Sequence, residues 1–269
     1  MRIMVVGMGR SSRPGSESDQ AGSVAEREPG RSPSLANSYA SYAAPGTQID
    51  MAPPIEYFGP DPDPGTGGTD RHLRYYMSVP AIVQATVWAE KNGYDAVIQS
   101  NNFEHGVEAS RLAVRIPVLG LCRTTMLVAA NFADRIGVTV PLDGYFVLAR
   151  HLMQSYAVQH FVSGMRSLSF DDVPPPDQVD RLRPIMFEKT VGVMRSLVTE
   201  TGAECIVPLG GAVIPSVLDP KELAREVGVP VFNPRALGVR MAELCVELGI
   251  SQSPLTYTRA ALLQNGLQI

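Results

Sequence analysis

An internal repeat constrains the fold more than any other feature of this sequence. The segments Gly93-Tyr-Asp-Ala-Val-Ile-Gln-Ser-Asn-Asn102 and Gly202-Ala-Glu-Cys-Ile-Val-Pro-Leu-Gly-Gly211 share one pattern. In each, a glycine that ends a helix is followed by an apolar strand and then a short loop. The next strands also correspond, because Ile116-Pro-Val-Leu119 matches Val229-Pro-Val-Phe232. Two similar strand–helix–strand halves predict an α/β fold of two parallel sheets, and their carboxyl ends can face one another across a ligand-binding cleft.

Apolar spacing along the rest of the chain predicts further helices and strands. The predicted strands cover residues 3–6, 48–52, 95–99, 118–121, 137–140, 159–163, 205–209 and 229–232. The predicted helices cover residues 34–44, 69–92, 107–114, 124–134, 144–156, 181–201, 219–227 and 235–248. Thr124 is of a residue type suited to cap the fourth of these helices. Residues 10–33 are rich in Ser, Gly, Glu, Arg and Pro, which predicts an exposed, flexible insertion.

The order of these elements predicts two lobes. Residues 1–123 together with 234–269 are expected to form the first, and residues 124–233 the second. The final helix follows the second copy of the repeat and has an apolar stripe to bury, so it is assigned to the first lobe.

Composition excludes several function classes. The net charge is −4, from 23 basic and 27 acidic residues, and no basic run suggests a nucleic-acid partner. No apolar stretch approaches the roughly 18 residues of a membrane span. Three widely separated cysteines argue against a disulfide framework and favour a cytoplasmic compartment. The histidines lack metal-ligand spacing, and Gly7-Met8-Gly9 is too short for a dinucleotide fingerprint. Neither a metal nor a cofactor is expected.

The loop Ser100-Asn101-Asn102 is the first candidate binding element, because it lies where a strand ends and a helix is about to begin. Backbone N–H groups and amide donors at such a place can hold a carboxylate or a developing oxyanion. An Asx turn that only caps the helix is the alternative. At the second copy of the loop, Gly210 and Gly211 allow a backbone to approach a ligand closely, or they form a simple tight turn.

Three side chains near these loops are candidates for acid–base or nucleophilic work. Glu104 and His105 are the nearest titratable groups, and a histidine with an acidic neighbour can transfer protons. Both can also face solvent at the start of a helix. Cys122 follows another strand and precedes a helix N-terminus, which can favour a thiolate. Its alternative role is that of a small packed residue. Gly7 and Gly9, at the end of the first strand, complete the candidate substrate-binding set.

Nearly the whole chain outside residues 10–33 resembles the aspartate/glutamate/hydantoin racemase superfamily. The resemblance is clearest in Gly93-Tyr-Asp-Ala-Val97, Gly106-Val-Glu-Ala-Ser-Arg111, Ile116-Pro-Val-Leu-Gly120, Gly137-Val-Thr139 and Val229-Pro-Val-Phe-Asn-Pro234. It implies two α/β lobes with the active site between them, and a homo-oligomer. It also implies that Thr139 occupies a substrate-contacting hydroxyl position.

The superfamily's racemases use one cysteine from each lobe, on opposite sides of a carbon acid. One thiol removes a proton and the other returns one. In this sequence Asn101 occupies the first cysteine position, and Gly211, or Gly210 in the alternative alignment, occupies the second. Neither an amide nor a glycine can abstract a proton, so this chain is expected to be a divergent member that lacks the two-thiol apparatus.

The resemblance therefore implies an enzyme acting on a small carboxylate or a cyclic amide. Isomerase or lyase-like chemistry at a carbon next to a carbonyl is favoured, with the enolate held by Asn101, Asn102 and nearby backbone. Two alternatives stay open: a hydrolase or ring-opening enzyme that uses water activated by His105 or Glu104, and a non-catalytic small-molecule-binding member.

Overall fold

The computed structural model describes residues 1–7, 39–52, 73, 75–170, 174, 176–209 and 213–258. Its strands are β1 Arg2–Val6, β2 Gln48–Met51, β3 Ala96–Gln99, β4 Val118–Gly120, β5 Ile136–Val140, β6 Val162–Ser167 and β7 Cys205–Pro208. Its main helices are α1 Val79–Lys91, α2 Val107–Ala113, α3 Leu121–Ala129, α4 Phe146–Ser155, α5 Val179–Thr201, α6 Pro220–Val227 and α7 Pro234–Glu247. The predicted insertion at residues 10–33 and residues 34–38 of the predicted helix at 34–44 lie outside the described residues; of the described remainder of that helix, only residues 39 and 40 are helical.

The strands form two parallel sheets, as the repeat predicts. The first has the order β2-β1-β3-β4 and the second the order β6-β5-β7. An isolated parallel bridge from Ile206 to Val231 stands where the second sheet would have its counterpart of β4. The two sheets therefore follow the same topology, and the α/β fold with helices flanking two parallel sheets is confirmed.

Both faces of the first sheet are buried, because successive residues of a strand point to opposite sides. Ile3 and Val5 of β1 join one core with Val239 of α7, whereas Met4 packs in a second core with Ile82 of α1. A continuous apolar strand is typical of a parallel sheet covered by helices on both faces. This two-sided burial explains why the apolar runs of the sequence located the strands well.

Helix α7 packs against β3 and β4 of the first sheet. Its apolar residues Val239 and Ala242 lie in the same core as Ile98 of β3. Helix α3 has its apolar side chains Met126 and Ala129 in the core of the second sheet. Helix α7 also packs against α3. The division of the chain into lobes at residues 123/124 and 233/234 stays a prediction.

Three predicted elements differ from the structure. Residues 159–161 form a 3₁₀ turn, and the strand begins only at Val162. Strand β6 is an outer, partly exposed strand of polar composition, so apolar spacing does not mark where it starts. The predicted strand at 229–232 is reduced to the single bridge at Val231. Helix α3 begins at Leu121, so Thr124 lies inside it and is not its cap.

A segment after α7 covers the outer edge of the first sheet. The Gln252 Nε2 atom donates to Val114 O at 2.8 Å and to Ile116 O at 2.9 Å. Its Oε1 accepts from Val118 N at 3.3 Å. The Ser251 hydroxyl donates to Arg115 O. Side chains of this segment thus take up backbone groups beside β4.

Candidate active site

The loop after β3 is folded by its own polar side chains. The Gln99 Oε1 atom accepts from Asn101 N at 2.7 Å, and Asn101 Oδ1 accepts from Phe103 N at 2.8 Å. The second bond is the Asx turn that the sequence leaves open as an alternative. Asn101 O accepts from Glu104 N at 2.9 Å and closes the turn. Asn101 therefore shapes the loop, whether or not it also contacts a ligand.

The ends of β3 and β7 meet directly. Asn102 is buried, and its Nδ2 donates to Pro208 O across 3.2 Å, joining residues 106 positions apart. These strands are the corresponding members of the two sheets. The carboxyl ends of parallel strands are where open α/β folds bind ligands. The contact therefore places the Ser100–Asn102 loop at the junction of the sheets.

The end of β1 lies beside the same loop. Ser100 N donates to Val6 O at 2.9 Å, and a Cβ at Gly7 would lie 3.1 Å from Ser100 Oγ. The absence of a side chain at Gly7 gives the serine hydroxyl its room. Among the other predicted glycines, Gly9, Gly210 and Gly211 lie outside the described residues.

Two buried polar atoms near these strand ends have no hydrogen-bond partner among the described residues. They are Gln99 Nε2 in β3 and Thr139 Oγ1 in β5. Thr139 is the predicted substrate-contacting hydroxyl, and its own carbonyl accepts from Leu209 N at 2.8 Å. Gln99 was missed by the sequence reasoning, although a glutamine at the end of the apolar run Ala96–Gln99 was a signal for it. Buried polar groups normally have partners, so both atoms are suited to meet a ligand.

Glu104 has a structural environment that the sequence did not predict. Its side chain is buried, and its Oε1 accepts from Arg123 N at 2.8 Å, in the first turn of α3. The Tyr156 hydroxyl donates to its Oε2. A carboxylate at a helix N-terminus satisfies unpaired N–H groups and interacts favourably with the helix dipole. Glu104 therefore caps α3 from a distant position in the chain, which explains why that helix starts before Thr124.

Gly120 makes this cap possible. A Cβ at residue 120 would overlap the Glu104 carboxyl group.

Burial raises the pKa of Glu104 above its ordinary value, and this outweighs the opposing effects of Tyr156, the backbone N–H groups and Arg111. The pKa of the Tyr156 phenol is also raised; burial is the main cause, and the charge of Glu104 adds to it. The phenol therefore keeps its proton and remains the donor in this pair.

His105 lies on the wall of a cleft of about 710 Å³. Its ring centroid is 4.7 Å from that of Tyr75 and 5.1 Å from that of Tyr76. The lining also includes Phe103, Arg123, Leu148, His151, Tyr156 and Tyr257. This volume is within the range of small-molecule sites. The structure thus brings His105 and Glu104 to the cleft, whereas Ser100, Asn101 and Asn102 do not line it.

Cys122 is fully buried in the core of the second sheet. Burial raises its pKa well above the ordinary value, and the charge of Glu104 acts in the same direction. Because the thiolate is the reactive form, this environment favours the packed role of Cys122 that the sequence leaves open. Cys205 is also buried, in β7, and burial raises its pKa to about 11. Its position at the first residue of the strand is remote from the loop that follows the strand.

Two structural features are absent from the described residues. In this part of the chain, no helix combines the length and apolar character needed to cross a membrane. Within the same ranges, no three His, Cys, Asp or Glu side chains are grouped so that they could hold a metal ion.

Comparison with known proteins identifies the family. Residues 56–242 match the family described as Asp/Glu/Hydantoin racemase. A hydantoin racemase of Pseudomonas sp. (strain NS671) is 28% identical over 72% of this chain and 75% of its own length. A hydantoin racemase from Rhizobium meliloti is 27% identical over 70% of this chain and 73% of its own length.

Solved structures show the same fold. An allantoin racemase from Klebsiella pneumoniae has a TM-score of 0.72 at 20% identity, covering 96% of this chain and 93% of its own. The allantoin racemase of Pseudomonas fluorescens has a TM-score of 0.70 at 22% identity, with 97% of each chain covered. An arylmalonate decarboxylase has a TM-score of 0.56 at 14% identity, covering 95% of this chain and 97% of its own. The family match extends over most of the chain, and the protein belongs to the Asp/Glu/hydantoin racemase family.

Proposed function

We propose that this protein is an enzyme that performs carbon-acid chemistry on a small cyclic amide or carboxylate without a pair of thiols. The reacting carbon lies next to a carbonyl group, and its proton or carboxyl group is lost to give an enolate. Family membership supports this reaction class, as do relatives that are named hydantoin racemases.

The observation that carries the proposal is the placement of His105. It lies four residues after Asn101, in the loop that follows β3, and it lines a cleft whose volume suits a small molecule. Cys122 instead lies in a core, with its pKa raised. A histidine can serve as an acid or a base near neutral pH without a special environment. We therefore assign proton transfer to His105.

The strand ends supply donors for the enolate oxygen. In the proposal, the substrate reaches from the cleft past Phe103 towards the strand ends, where Asn101, Asn102 and nearby backbone N–H groups adjoin the cleft without lining it and stabilise the developing negative charge. The buried Nε2 of Gln99 adds a donor at the same loop. Such preorganised donors are most effective where water is excluded. Glu104 holds the loop against α3 through its hydrogen bonds, which supports a positioning role for it.

With one acid–base group, the enolate is reprotonated from one face. A prochiral substrate is therefore expected to give a single enantiomer of the product. A chiral substrate is expected to exchange its proton with the solvent and to keep its configuration. A two-thiol racemase would instead exchange on both faces. This difference separates the proposed chemistry from ordinary racemisation.

The test uses 2-substituted malonates and 5-substituted hydantoins in D₂O. Deuterium at the reacting carbon is measured by NMR, release of CO₂ is measured directly, and product configuration by chiral chromatography. We expect one-faced turnover that is lost in His105→Asn and kept in Cys122→Ala. Loss in Cys122→Ala with full activity in His105→Asn would refute the thiol-free mechanism. Absence of turnover with every substrate would favour the non-catalytic alternative.

A further inference from the structure

The cleft beside His105 contains a guanidinium group that the proposed chemistry does not use. The Arg123 side chain is 40% exposed, and its Cζ lies 5.1 Å from the centroid of the Tyr156 ring. Its backbone N–H is held by Glu104. The residue is therefore fixed at both its backbone and its side chain, while the guanidinium stays accessible to a ligand in the cleft.

Arg123 shares its ion-pair partner with a second arginine. Glu108 Oε1 lies 2.8 Å from Arg111 Nη1 but 3.9 Å from Arg123 Nη1. One carboxylate is thus shared by two arginines, and the closer ion pair is with Arg111. Glu104, the other acid of the cleft, is buried and bound to α3 and Tyr156. The Arg123 guanidinium therefore has only a distant, shared counterion, and its donors can take an anionic ligand in the cleft that it lines with Glu104 and Glu108.

The same cleft also has apolar walls. Phe103 and Leu148, which also line the cleft, belong to the apolar core of the second sheet. Small-molecule sites commonly combine apolar walls with a few charged or polar groups that set orientation. A ligand with an apolar or planar body and an anionic end would match both features.

We propose that Arg123 binds a carboxylate on the substrate, so that the enzyme prefers substrates with an acidic side chain over neutral ones of the same size. This inference rests on the proposed function and defines its substrate class. Arginine suits the role because its planar guanidinium can form two parallel hydrogen bonds to a carboxylate. Arg123 acts in binding and selection, and His105 in proton transfer.

The test compares hydantoin-5-acetate with its primary amide, which has nearly the same shape but no charge. The rate of deuterium incorporation at C5 gives kcat/KM for each. We expect the acid to be preferred by roughly 10-fold or more, the size of a charge-assisted hydrogen bond. In Arg123→Gln this ratio should fall towards one, mainly through the KM of the acid. Arg150→Gln, which changes an exposed arginine that lines a separate cleft, should keep the wild-type ratio.

Equilibrium binding of hydantoin-5-acetate by calorimetry gives a second readout. Arg123→Gln should weaken binding by a similar factor, and Arg150→Gln should not. If neither substrate is turned over, the proposed function fails, and calorimetry still decides whether Arg123 binds the carboxylate. Exchange of both substrates with a ratio near one, or a preference that survives in Arg123→Gln, would overturn the inference while leaving the reaction class intact.

Discussion

Replacing Tyr156 with phenylalanine tests the link between the end of α4 and the Ser100–Gly106 loop. The change removes only the hydroxyl that donates to Glu104 Oε2. The carboxyl group stays buried against α3, and its remaining backbone donors, such as Arg123 N, stay in place. One oxygen is then left without its side-chain donor in a place that water does not easily reach.

The magnitude follows from that burial. A hydrogen bond to a charged group contributes about 1.5–3 kcal/mol to the free energy of unfolding. For a chain of this size each kcal/mol corresponds to roughly 2–4 °C in Tm, so the expected decrease is roughly 3–12 °C. The loss of the phenol should also raise the pKa of Glu104 further, because the Tyr156 hydrogen bond lowers it.

Thermal unfolding of Tyr156→Phe and Tyr94→Phe provides a matched comparison. Tyr94 also donates to a carboxylate, Asp50, at 2.9 Å. Asp50 is partly exposed and has other donors nearby in Arg2 and Gln48, so Tyr94→Phe should cost less than about 1 kcal/mol. In a Glu104→Gln background the effect of Tyr156→Phe should shrink. Equal Tm values for the two single variants, or an unchanged effect in that background, would show that the Tyr156–Glu104 contact does not stabilise the fold.

Three further predictions concern the same loop. Gly120→Ala should destabilise the protein by about 1–3 kcal/mol, because the new Cβ displaces the Glu104 carboxyl group; chemical denaturation measures this, and a wild-type midpoint would contradict it. Burial raises the pKa of Glu104 above 4.5, so its contribution to stability is fully present below that pH and is lost as the pH rises through the folded-state value. The Tm of Glu104→Gln relative to wild type should therefore increase with pH, and a constant difference would refute the pKa assignment. Asn101→Ala should raise the activation barrier by about 2.7–4 kcal/mol if the side chain donates to the oxyanion. Asn101→Asp keeps the oxygen that accepts from Phe103 N, so wild-type stability with a loss of activity would separate ligand binding from the turn.

Local patterns in the sequence were sufficient for most of the scaffold. The strands at Ala96–Gln99 and Cys205–Pro208 are short apolar runs after a helix-ending glycine, and both are found where predicted. The start of α3 was misplaced because its cap is Glu104, which lies in an earlier loop. Strand β6 was misplaced because its polar, half-buried residues Val162–Ser167 lack the apolar run that marks an interior strand.

The candidate site was only partly predictable for the same reason. Ser100, Asn101 and Asn102 follow a strand, so their place at the sheet end could be inferred from order alone. The meeting of Tyr156, Arg123 and Glu104 depends on how α4 packs beside a loop that precedes it by some fifty residues. No periodicity or motif contains that information. The role of Gln99 is not evident from sequence because a polar residue at the end of a buried strand carries no sign of whether its amide finds a partner in the fold.

The Gln252 contacts with residues 114–118 also bear on the tendency of an open sheet edge to pair with another chain. Strand β4 is the outermost strand of the first sheet, and Ile116–Leu119 is an apolar sequence with two β-branched residues. Uncovered, its backbone groups would offer a template onto which a strand from another chain could add. The amide of Gln252 occupies groups at Val114, Ile116 and Val118. Removing residues 251–258 should therefore leave the folded sheets intact but make the protein prone to aggregate through this edge.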